Sequence, residues 1–100
     1  MILLLPMDGN DTEESKLTDI TSALSWATIE IIDGKLINTT FQDSYNETYN
    51  NAETIVVRND YEPIMEFFEA GIVVLVAHTQ RYIEDIVEAY LFRELHDLAL

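Results

Sequence analysis

Carboxylates are the commonest chemical groups in this chain, and they crowd first near its start. Asp8, Asn10, Asp11, Glu13 and Glu14 fall within seven residues, and hard cations favour such oxygen-rich loops. The spacing does not build an EF-hand. Counted from Asp8, the sixth and twelfth positions, which require Gly and Glu, are Glu13 and Asp19. From the residues alone this is a solvated turn with, at most, a weak cation site. His78 is the best-placed single polar residue. It ends an apolar, strand-like run, and open α/β sheets bind ligands at the carboxyl ends of their parallel strands. His96 lies near the C-terminus and is expected to face water. Asp8 with Glu30 or Asp60 could imitate the acidic pair of a nuclease. Nucleophilic catalysis has no obvious agent. There is no cysteine, no Ser in a G-x-S-x-G elbow, and neither a G-x-G-x-x-G nor a P-loop. No catalytic residue is assigned and no enzyme is expected.

The charge narrows the partners. Nineteen acidic residues against five basic ones give a net charge of −14. A nucleic-acid backbone is bound through clustered Lys and Arg, and an anionic membrane attracts the same residues. Neither partner is expected, so the nuclease reading loses its substrate. Without cysteine there can be no disulfide, zinc–thiolate site or cysteine-held iron–sulfur cluster, which fits a cytoplasmic protein. Met1 to Leu5 is too short for the apolar core of a signal peptide and lacks a basic leader. Gly71 to Ala77, the longest later apolar run, is far below the ~20 residues that span a bilayer.

These candidates must be positioned by regular elements, and one hundred residues, 48% of them hydrophobic, suit a single domain. Ile2 to Leu5 reads as a buried strand stopped by Pro6. Asp8 to Ser15 is a loop. Leu17, Ile20 and Leu24 suggest a short helical turn with one apolar side tucked inward. Trp26–Ile32 and Lys35–Phe41 flank Asp33-Gly34, the strongest short hairpin signal, because a type I′ turn needs positive φ at both positions. Gln42 to Glu53 is polar and aperiodic, a loop. Thr54–Arg58 and Ile72–Ala77 are buried-type strands. Between them lies a helix capped by Asn59 or Asp60, with Pro63 in its first turn and Gly71 as its stop. Thr79 is expected to cap a last helix whose apolar residues Ile83, Ile86, Val87, Tyr90, Leu91 and Leu95 follow one stripe. Two non-alternating strands joined by a helix make a parallel pair. The expected fold is α/β: a mixed sheet, antiparallel hairpin plus parallel strands, with helices packed on it.

Two helix surfaces bear on partners. Glu84, Asp85 and Glu88 form an acidic, solvated face. Leu91, Phe92, Leu95, Leu98 and Leu100 widen the apolar surface beyond one stripe, which points to a homo-oligomer or a protein partner.

Several phrases, in order, resemble the dinitrogenase iron–molybdenum cofactor biosynthesis family of NifX-like and NifB C-terminal-like small proteins. ILLLPMDGND is similar to that family's first strand and turn, ATIEIIDGKLINTTF to its hairpin, IMEFFEAGIVVLVA to its helix and Ala-Gly-Ile strand, and IEDIVEAYLFREL to its closing helix. About three-quarters of the chain is covered. The resemblance implies a ribonuclease-H-like motif and a non-enzymatic accessory protein that carries or helps assemble an iron–sulfur or molybdenum–iron–sulfur cluster. It places Pro6, Asp8 and Gly9 in a turn near the ligand-binding edge, while no residue aligns with the family's His; the candidate cofactor contacts, taken from the residues themselves, are His78, Asp8 and Asn10. This chain differs from the family pattern in two stretches. Gln42–Glu53 replaces a longer segment containing a His-Gly turn and a helix, and Arg58-Asn59-Asp60 stands where glycines are usual. The missing helix is expected to leave one sheet face partly bare and so to favour association.

Overall fold

The computed structural model describes residues 1–45 and 52–98. The elements are β1 (Ile2–Met7), β2 (Ser25–Ile32), β3 (Lys35–Gln42), β4 (Thr54–Val57), α1 (Met65–Glu69), β5 (Val73–Val76), α2 (Ile83–Leu91) and β6 (His96–Asp97), with one turn of 3₁₀ helix at Ile20–Ser22. Among the described residues the strands form one six-stranded sheet in the order β3-β2-β1-β4-β5-β6. β1 pairs with β2 and β2 with β3 in antiparallel fashion. β4 is parallel to both β1 and β5, and β6 closes the far edge antiparallel to β5. This is a mixed α/β sheet of the ribonuclease-H-like kind.

Strand alternation divides the core between two faces. Leu3, Leu5 and Met7 of β1, Ala27, Ile29 and Ile31 of β2 and Val56 of β4 meet Ile83, Ile86 and Val87 of α2. Leu4, Ile55, Val57, Val74 and Val76 face the other way, against Trp26, Ile64 and Phe67. β1 and β4 are therefore covered on both faces, which is why their sequences are apolar runs and not alternating ones. The hairpin turns as its sequence predicts, with φ of 53° at Asp33 and 76° at Gly34.

The structure corrects the sequence reading at five places. Pro6 does not stop β1, which runs on to Met7, with Pro6 opposite Trp26. Parallel pairing with β4 involves Leu3 and Leu4, so the N–H that proline lacks falls beyond that ladder. Leu24 is not tucked inward. It is 74% exposed, while Leu17 is buried, because the segment is extended rather than helical apart from its 3₁₀ turn. Neither Asn59 nor Asp60 caps α1, whose N-cap is Ile64; the Asn59 Oδ1 instead accepts the Tyr61 N–H, 2.8 Å. α2 begins after Tyr82 and has no side-chain cap from Thr79. It also ends at Leu91, short of Leu95. Arg93 adopts φ 58°, its N–H reaches the Tyr90 carbonyl and the Glu94 N–H reaches that of Ala89. These two bonds are the Schellman closure of a helix, and they turn the chain into β6.

The loop expected at Gln42–Glu53 lies partly outside the described residues. Where the sheet is described, the face opposite α2 is not bare, since Tyr45, Ala52, Ile64 and Phe67 pack on it. Exposed apolar side chains include Ile32, Leu36 and Ile37 at the hairpin, Leu24, Tyr61 and Met65 in or beside the connecting segments, and Phe92 after α2, 70% exposed.

Candidate functional site

Because β1, β4 and β5 are parallel, the segments leaving their carboxyl ends share one edge of the sheet. These segments are 8–24, 58–64 and 77–82. Main-chain bonds tie the first to the third. The Leu17 N–H donates to the Arg81 carbonyl at 2.7 Å, and Lys16 bridges Tyr82.

The acidic opening loop spends much of its chemistry on its own backbone. Asp8 accepts the Lys16 N–H through Oδ1 at 2.7 Å, and its N–H returns to the Lys16 carbonyl at 2.9 Å. Asp11 Oδ1 accepts from the N–H groups of Glu14, 2.9 Å, and Glu13, 2.8 Å. These two bonds hold the Asp11 carboxyl below its ordinary range. Gly9 packs closely against Ser15. A Cβ there would lie 2.8 Å from Ser15 Oγ, the acceptor of the Asp11 N–H, and the Gly9 carbonyl accepts from Ser25 Oγ. Asn10 is exposed and, with Gly9, Leu24, Ser25, Phe41, Gln42 and Asp43, lines a cavity of about 280 Å³.

The middle segment carries a polar knot that sequence reasoning missed. Glu62, 9% exposed, accepts the Ile20 N–H on Oε1 at 2.8 Å and the Asn59 amide on Oε2 at 2.9 Å. Arg58 lies 3.8 Å from Asp19, and the Asn59 amide also reaches Asp19 at 3.4 Å. Burial raises the Glu62 pKa, and the neighbouring Asp19 charge adds to the rise; the bonds from Ile20 and Asn59 oppose it. No spacing rule joins positions 20, 59 and 62. Only the meeting of the 3₁₀ turn with the β4 exit does so.

On the third segment His78 Nε2 stands 3.4 Å from Asp60 Oδ1, and the His78 ring lies 5.9 Å from that of His96 on β6. Arg81 holds this corner by donating to the carbonyls of Ala77, His78 and Gln80 at 2.8–2.9 Å. Each residue of Arg58-Asn59-Asp60, where the resemblance leads one to expect glycines, thus has a partner on this edge: Asp19, Glu62 and His78 respectively.

The sequence-derived candidates do not converge. Asp8 and Asn10 sit at the exit of β1, and His78 sits at the exit of β5 beside Asp60 and His96. Among the described residues no three His, Cys, Asp or Glu side chains are grouped so as to hold a metal ion. Asp8 and Glu30 cannot act as a pair, because Glu30 is opposite Ile2 while Asp8 follows Met7, at the other end of β1.

No family model and no curated protein matches the sequence. Solved structures do. A protein from Methanocaldococcus jannaschii described as a "putative dinitrogenase" superposes with a TM-score of 0.78 at 15% identity, over 99% of this chain and 95% of that one. The protein PH0822 gives 0.77 at 16% identity, over 97% and 96%. A Thermotoga protein described as a "putative NifB protein" of the DUF35 family gives 0.75 at 13%, over 99% and 94%. The fold is common to all four chains. At these identities the likeness extends to the path of the backbone, end to end, and not to the side chains of the carboxyl edge.

Proposed function

We propose that this protein is a small, non-enzymatic accessory protein of the NifX-like kind, acting in the cytoplasm as a carrier or assembly aid for a metal–sulfur cofactor. What supports the reading is the agreement of two likenesses. The sequence phrases resemble the iron–molybdenum cofactor biosynthesis family in order and spacing. The chain also superposes on proteins described as a "putative dinitrogenase" and a "putative NifB protein", at TM-scores of 0.78 and 0.75. In this reading the carboxyl edge faces the cofactor, with His78 at the β5 exit and Asp8 and Asn10 at the β1 exit as separate candidate contacts and no residue assigned to catalysis. No helix among the described residues is long and apolar enough to cross a membrane, and the charge of −14 disfavours a nucleic-acid partner.

The test is direct. The purified protein is incubated with an iron–sulfur or molybdenum–iron–sulfur cluster, passed over a desalting column and scanned in the visible range. Cluster absorbance should travel with the protein and fall in His78→Ala. Absorbance that stays wholly with the small-molecule fraction removes the carrier reading.

A second reading, a self-associating or protein-binding module, draws on Ile32 at the end of β2, Leu36 and Ile37 on the edge strand β3, and Phe92, all exposed. Light scattering that returns a single monomeric mass across a wide concentration range counts against self-association.

A further inference from the structure

We propose that His78 and His96 together form a two-imidazole site for a borderline first-row divalent cation such as Zn²⁺ or Cu²⁺, with Asp60 as the group that orients His78. The sheet brings the two rings together. His96 lies opposite Val76 in the β5·β6 ladder, and His78 stands in the bend by which the chain leaves β5, so both histidines come to the same end of the sheet. Their ring centroids are 5.9 Å apart. An ion held at about 2.0–2.1 Å by one nitrogen of each imidazole lies about 3.2 Å from each centroid, so rings that share an ion stand about 5–6 Å apart. Asp60 Oδ1 stands 3.4 Å from His78 Nε2, near enough for a small ring rotation on metal binding to make the carboxylate–histidine hydrogen bond that holds the proton on Nε2 and leaves Nδ1 as the donor. The Arg81 bonds to the Ala77, His78 and Gln80 carbonyls fix the backbone of that corner. The histidine and Asp60 side chains are open to solvent, His78 by 55% and Asp60 by 45%, so an ion can enter and water can complete its coordination. Imidazole selects Zn²⁺, Cu²⁺ and Ni²⁺ over Ca²⁺ and Mg²⁺, which prefer oxygen. The surrounding charge of −14 raises the local concentration of any cation.

This inference goes beyond the carrier reading and stands without it, because its probe is a bare ion and not a cluster. Full-length protein is titrated with ZnCl₂ by isothermal titration calorimetry at pH 7.5 in 0.5 M NaCl, which screens diffuse binding to carboxylates. A parallel titration uses CaCl₂. The expected result is one Zn²⁺ per chain, no comparable Ca²⁺ uptake, and at least tenfold weaker binding in both His78→Ala and His96→Ala. Asp60→Asn should weaken binding about 10- to 100-fold. The ring-proton resonances of both histidines should shift with Zn²⁺ in the wild type. His78→Gln and His96→Gln serve as second variants if either alanine form fails to fold. Three results would each overturn the proposal: no Zn²⁺ uptake, uptake that survives loss of both histidines, or Ca²⁺ binding equal to that of Zn²⁺.

Discussion

Glu62 offers the sharpest check on how the carboxyl edge is held. Its carboxylate is buried and ties the 3₁₀ turn to the β4 exit through the Ile20 N–H and the Asn59 amide. Glu62→Gln keeps an oxygen for Ile20 but sets an amide against the Asn59 amide, so one bond, worth about 1 kcal/mol, is lost. The ionisation acts in the other direction. Burial, then the Asp19 charge, raise the folded-state pKa of Glu62 above its ordinary 4.5. An acid whose pKa is raised on folding contributes its full stability below the unfolded value and loses it as pH rises through the folded one. Glutamine has no such loss. The variant should therefore be less stable than the wild type by about 1 kcal/mol near pH 4.5, and the gap should narrow as pH climbs towards neutrality. Urea unfolding of both proteins at pH 4.5, 5.5, 6.5 and 7.5 measures this. A gap that stays constant, or widens with pH, would show that Glu62 is not strained by its burial and would refute the argument.

Other consequences can be measured on the same unfolding curves. Phe67 is wholly buried and lies 5.3 Å from the Tyr45 ring, so Phe67→Ala should cost about 3–5 kcal/mol; a loss below about 1 kcal/mol would mean that the α1 face is not packed as described. Gly71 closes α1 at φ 79°, and Gly71→Ala should cost about 1–2 kcal/mol through left-handed strain, although open space surrounds the new methyl. A chain of net charge −14 repels itself when folded. Raising NaCl from 0.1 to 1 M shortens the screening length from about 10 to about 3 Å, so the urea midpoint should rise, and a flat response would show that the charges are already spread far enough apart.

The sequence by itself determined much of the frame. Asp33-Gly34 specified the hairpin because so few residues accept positive φ in succession. The apolar runs Ile2–Leu5 and Thr54–Arg58 specified central strands because only a sheet covered on both faces tolerates them, whereas Ile72–Ala77, read the same way, forms a strand next to the edge with Val73 exposed. Gly71 marked the end of α1 for the same reason of φ. The failures have a shared cause. Nothing in residues 91–97 announces that the chain leaves α2 and becomes β6, since Arg93 occupies a left-handed position usually given to glycine and the strand is two residues long. His96 therefore read as an isolated surface residue. Glu62 and Asp60 carried no motif, because their partners Ile20 and His78 lie 42 and 18 positions away in the chain. Local patterns report which face of an element is apolar, and that was legible. Which polar side chains meet where the parallel strands end depends on how loops from three separate strands pack against one another, and only the tertiary structure decided that.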